Sequence, residues 1–135
     1  MNLKYIFLPF VAWITSGTLK FFINALRQKS FRRAKNLIGY GGLPSTHTTI
    51  ISSAVFLNGF SEGFFQPTFT LGLAVMILFL MDAFTLRREV GEHAKILNRL
   101  QDKIIFRERM GHSGLEIFCG LILGIILGYI FANLI

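Results

Sequence analysis

Four apolar stretches near bilayer length take up most of this 135-residue chain. A chain this short forms one domain, residues 1–135, and a soluble globule of that size could not hide so much apolar surface. With 53% hydrophobic and 16% charged residues, the composition also excludes disorder. One cysteine, Cys119, excludes a disulfide framework and any paired-cysteine zinc or redox site. The net charge of +7 raises nucleic acid as a partner. Next to apolar spans, however, basic residues are more simply flanks that meet anionic lipid or a phosphorylated ligand, and no nucleic acid is expected.

The stretches predict an all-α polytopic membrane bundle of about four transmembrane helices. The first runs from Tyr5 to Leu26. A signal peptide is its rival, but Lys20 interrupts the run and basic residues, not a small-residue cleavage site, follow it. The second, Thr46 to Phe60, opens with serines and threonines, which suit a protein interior better than lipid. The third spans Thr68 to Leu86 and the last Leu115 to Ile135. Gly120, Gly124 and Gly128 repeat the GxxxG spacing on the last span, a face for close helix approach and a possible homodimer contact. Between spans three and four, Val90, Ala94, Leu97, Leu100 and Ile104 recur at helical spacing within Glu89 to Met110. That pattern predicts an amphipathic helix at the cytoplasmic membrane surface, or a solvated helix folded back on the bundle.

Orientation follows from the cations. Arg27, Lys29, Arg32, Arg33 and Lys35 lie in the first loop, and Arg87, Arg88, Lys95, Arg99, Lys103, Arg107 and Arg109 in the third. None occurs from Asn36 to Leu86. The positive-inside rule puts loops one and three in the cytoplasm, with a bacterial inner membrane as the expected setting.

Under that topology the chemically capable residues gather at one membrane edge. Gly42, Ser45, Thr46 and His47 stand at the start of span two, where a glycine-rich turn and a helix N-terminus make an anion site. His112 and Glu116 are four apart, so a carboxylate can hold one imidazole nitrogen and leave the other free as nucleophile or base. Arg87 and Arg88 can grip phosphate oxygens, Asp82 can hold a cation in place, and Lys20 stands two turns from the inner end of span one. His47, Asp82, His112 and Glu116 also suit a divalent metal by type, although no motif has metal spacing.

Three ordered segments, GGLPSTH, MDAFTLRREVGEHAKILN and RMGHSGLEIFCG, resemble the signatures of the divergent type 2 phosphatidic acid phosphatase family, relatives of acid phosphatases and vanadium haloperoxidases. The wider superfamily carries K-x6-RP, PSGH and SR-x5-H-x3-D. Pro44-Ser45-Thr46-His47 is similar to PSGH, and His112 with Glu116 to H-x3-D, with glutamate for aspartate. The resemblance implies a phosphatidic-acid-phosphatase-like fold and a metal-independent phosphatase or phosphotransferase acting on a lipid-linked phosphate. By it, His112 forms a phosphohistidine, Glu116 orients it and His47 protonates the leaving oxygen. No cofactor is implied. Two features depart from the pattern: K-x6-RP is absent, and Phe106 stands where the arginine six residues before His112 belongs. Lys20, Arg87 and Arg88 are the cations left to replace those contacts. The alternative is a non-catalytic phospholipid-binding or assembly subunit that keeps the phosphate pocket.

Overall fold

A computed structural model describes residues 3–29, 42–101, 103–108 and 110–134. Among these, all regular structure is helical: α1 (Lys4–Gln28), α2 (Thr46–Glu62), α3 (Pro67–Phe84), α4 (Leu86–Leu100) and α5 (Gly114–Leu134). Arg32, Arg33, Lys35 and the glycines Gly39 and Gly41 lie outside the described residues. Three helices are long and apolar enough to cross a membrane: α1, α3 with its continuation, and α5. The second expected span, α2, has 17 residues and reaches about 26 Å at ~1.5 Å per residue.

The bundle buries a row of hydroxyls beside its apolar core and is apolar outside. Phe7, Phe10, Trp13, Leu71 and Leu78 are exposed, whereas Ser16, Thr48, Thr49, Ser52 and Ser53 are buried. In water this would be unstable; in hydrocarbon the exposed side chains are solvated and the hydroxyls must be shielded. They bond within their own helix. Thr49 Oγ1 donates to the Ser45 carbonyl at 2.9 Å and Ser52 Oγ to that of Thr48 at 2.6 Å. This leaves α2 with a smooth, hydrogen-bonded face of small residues.

That face meets the glycines of α5. A Cβ on Gly120 would stand 2.6 Å from the Ser45 carbonyl, one on Gly128 would stand 2.9 Å from the Leu57 nitrogen, and one on Gly124 would overlap Ser52 Oγ. The pairing of 120 with 45 and 128 with 57 makes α2 and α5 run parallel. The GxxxG face is therefore occupied by α2 within one chain. Gly124→Val should destabilise the protein by about 1–3 kcal/mol, the usual cost of overpacking, read as a lower midpoint in thermal unfolding in detergent. An unchanged midpoint would mean that the helices are not this close.

α1 runs antiparallel to both. At one end Tyr5 Oη donates to Glu62 at 2.7 Å and Lys4 Nζ to the Ala132 carbonyl at 3.5 Å. At the other end, a Cβ on Gly42 would touch Lys20 and Asn24. Pro67 begins α3, its missing N–H harmless in the first turn, and α3 returns along α2 with Gly72 against Val55.

The surface helix is shorter than expected. It ends at Leu100, not near Met110, because the buried Asn98 captures the chain that follows. Its Oδ1 accepts from the backbone of Ile105 and Phe106, and its Nδ2 donates to the Phe106 carbonyl and Glu108, all at 2.8–3.0 Å. Gly91 admits this returning strand of chain, since a Cβ there would lie 2.5 Å from the Glu108 carbonyl. Ala94, expected on the lipid-facing stripe with Val90 and Leu97, is buried on this inner face instead.

Candidate active site

Lys20, His47, Asp82, Arg87, His112 and Glu116 come to the same end of the bundle from five helices and the loop before α5. Local sequence explains most of the placement. Ser45 caps α2, its hydroxyl accepting from the Thr48 N–H at 3.4 Å and the Thr48 hydroxyl at 2.9 Å. The cap fixes the first turn, in which Thr46 and His47 follow. Ser45 is itself fully buried, and its N–H donates to the Glu116 carbonyl at 2.8 Å, which ties the two histidine-bearing turns together.

His112 is held from the other side. Ser113 and Glu116 form a capping box: the Glu116 N–H reaches Ser113 Oγ at 3.3 Å, and the Ser113 N–H donates to Glu116 Oε2 at 3.1 Å. That same Oε2 receives His112 Nδ1 at 3.0 Å. One carboxylate oxygen thus starts the helix and sets the imidazole. Because a carboxylate only accepts, Nδ1 carries the proton and Nε2 keeps its lone pair. The His112 and Glu116 side chains are only 8% and 10% exposed. Burial pushes the His112 imidazole below the ordinary histidine range, opposed in part by the hydrogen bond and charge of Glu116. Neutral Nε2 is the form a nucleophile needs. Nitrogen-15 shifts of labelled His112 should show the neutral Nδ1–H tautomer at pH 6.5, with protonation only at lower pH; a cationic ring there would contradict this burial.

Gly111 makes the approach possible. It has φ +83°, and a Cβ would stand 3.0 Å from the Ala83 carbonyl and 3.5 Å from Arg87 Cβ. Only glycine brings His112 this close to the junction of α3 and α4.

The rings of His47 and His112 have centroids 6.1 Å apart. Arg87 joins them, its Nε donating to Asp82 Oδ2 at 2.7 Å, so Asp82 is occupied in holding the guanidinium. His47, His112 and Arg87 line one cleft with Thr48, Ile51, Phe79, Leu80 and Ala83. Charges of Lys20 and Arg87 act on both imidazoles, and Lys20 also interacts with Glu116. Arg88 does not line the cleft; its charge acts on Glu92 at the outer surface. Gly42 lies against Lys20 and Asn24, and Thr46 is half-buried outside the cleft lining. Among the described residues no group of three or more His, Cys, Asp or Glu could hold a metal ion.

A family profile described as the divergent PAP2 family matches residues 1–127. The chain belongs to the divergent PAP2 family. Among curated proteins it is 25% identical to the uncharacterized membrane protein YuiD of Bacillus subtilis (strain 168), covering 68% of this chain and 71% of that relative. No solved structure matches it. With three apolar helices of spanning length and this relative, the chain is an integral membrane protein. Within the family's third segment, the sequence reading left two positions without a role, Ser113 and Gly111. The S-x-x-E spacing ahead of an apolar run signals the first, and the second is a glycine directly before His112. Nothing in the sequence marks Asn98 or the cleft wall of Ile51, Phe79 and Leu80.

Proposed function

We propose that this member of the divergent PAP2 family is a metal-independent phosphatase or phosphotransferase for a lipid-linked phosphate, with its site at the cytoplasmic edge of the membrane. The observation that carries this reading is the pair of imidazoles 6.1 Å apart, one of them held through Nδ1 by a buried carboxylate. At that centroid separation both imidazoles can contact one phosphate group.

In the first step His112 Nε2 attacks phosphorus. A P–N bond forms, the P–O bond to the lipid breaks, and protonated His47 gives its proton to the leaving oxygen. In the second step neutral His47 takes a proton from water or an acceptor hydroxyl, whose oxygen attacks phosphorus, and the P–N bond breaks to restore His112. Arg87 and Lys20 neutralise the equatorial oxygens, the main task of a protein in phosphoryl transfer. Arg87 here takes the part of the arginine that Phe106 replaces in the superfamily pattern; the backbone of Phe106 is held by Asn98. Ile51, Phe79 and Leu80 supply an apolar wall below the imidazoles for the first carbons of a lipid chain. The concentration of cations in loops one and three supports the cytoplasmic placement.

The test is phosphate release from polyprenyl phosphate and phosphatidic acid by the protein in nanodiscs, together with vanadate binding. An enzyme of this kind releases phosphate and binds vanadate tightly in the five-coordinate geometry. Vanadate binding no tighter than that of sulfate, with no turnover, would instead assign the pocket to a headgroup receptor.

A further inference from the structure

The α4 helix carries three distinct faces. At ~100° per residue, Leu86, Val90, Leu97 and Leu100 fall within about 80° of arc. All four are exposed, as are Ile104 and Ile105 in the returning chain. His93 lies in the same stripe. The adjacent face, Gly91, Ala94 and Asn98, is buried against the returning chain. Roughly opposite the leucines stand Arg88, Lys95 and Arg99, with Glu92 bonded to Lys95 at 2.8 Å.

Both ends of this hairpin are fixed at the membrane edge. Thr85 alone separates Leu86 from the end of α3, whose last residues Met81 and Phe84 are exposed apolar side chains of a spanning helix. Gly111 brings the returning chain back to Ala83 and Arg87. The leucine stripe therefore begins where the hydrocarbon surface ends, and the cations on the opposite face add long-range attraction to an anionic leaflet.

We infer that α4 is an interfacial anchor: its Leu86, Val90, Leu97 and Leu100 stripe is seated in the anionic lipid leaflet, and this seating holds Arg87 in the cleft. Arg87 is the second residue of α4, so the angle at which the helix lies on the surface decides where its guanidinium points. The seating is independent of the proposed chemistry; its effect on the cleft rests on that reading.

Spin labels at Leu97 and Arg99, each as a cysteine variant in a Cys119→Ala background, report the seating in phosphatidylcholine–phosphatidylglycerol nanodiscs. The Leu97 label should collide preferentially with oxygen, and the Arg99 label with a water-soluble nickel chelate. A water-accessible Leu97 label overturns the proposal, as does spin–spin broadening that shows a second copy covering the stripe. In a second arm, Leu97→Glu/Leu100→Glu should weaken vanadate binding on the order of tenfold, because a displaced cation loses most of its contribution. Unchanged vanadate affinity would overturn the link between seating and Arg87. If the unmodified protein binds no vanadate at all, the phosphate chemistry fails, while the label depths still decide the anchor.

Discussion

Replacing His112 with alanine should abolish phosphate release, a fall of at least about 10⁴-fold, while the protein remains folded. The ring is the proposed nucleophile, and no other side chain in the cleft can take its place. In the proposed mechanism His47 is the proton donor, and the rest of the cleft lining is one hydroxyl, one guanidinium and apolar side chains. Folding survives because the capping box needs Ser113 and Glu116, not the imidazole. His47→Ala separates the two roles. It should lose about 10²–10⁴-fold on a lipid phosphate, whose alkoxide needs a proton to leave. On para-nitrophenyl phosphate, whose leaving group needs none, most of that loss should disappear. His112→Ala recovers on neither substrate. Equal activity of His112→Ala and the unmodified protein would end the phosphohistidine account, whatever the fate of the fold.

The parts of this site that sequence made legible are those governed by short-range rules. Helix periodicity puts Glu116 one turn from His112, and hydroxyl-rich spacing makes Thr48, Thr49 and Ser52 an interior face. Cation counts bring Lys20, His47, Arg87 and His112 to one membrane edge. What stayed hidden depends on contacts between remote segments. Arg87 and Arg88 are chemically equal in sequence, and only the turn at Thr85 points one at the cleft and the other outward. The glycines of α5 announce close packing without naming the partner; α2 takes that place because its hydroxyls are already bonded to their own carbonyls. Periodicity continues through Ile104 and so carries the expected helix past its end, whereas the Asn98 side chain offers backbone groups a better partner than another helical turn. A side chain that competes with the helix for hydrogen bonds has no periodic signature.

Glu116→Gln and Glu116→Ala should differ in a way that isolates what the carboxylate does. Glutamine is accepted in a capping box, and its carbonyl oxygen can receive both the Ser113 N–H and His112 Nδ1, as Oε2 does. The fold and the tautomer should therefore persist. The negative charge does not, and with it goes the stabilisation of positive charge as the His112 ring gives electrons to phosphorus. Loss of about 10²-fold in kcat with little change in KM is expected, the pattern of an interaction made in the transition state. Alanine removes the oxygen as well. The ring is then free to take the other tautomer and to turn, which should cost about 10⁴-fold, while the lost cap lowers stability by only ~1 kcal/mol. Charge loss also changes the response to Lys20, which interacts with both Glu116 and His112. In Glu116→Gln that cation is no longer balanced, and a further Lys20→Met should lower activity again, because the proposed contact to the phosphate oxygens is lost with it. If Glu116→Gln and Glu116→Ala are equally impaired in turnover and equally stable, the carboxylate acts neither as cap nor as orienting group, and the buried contact to His112 is packing alone.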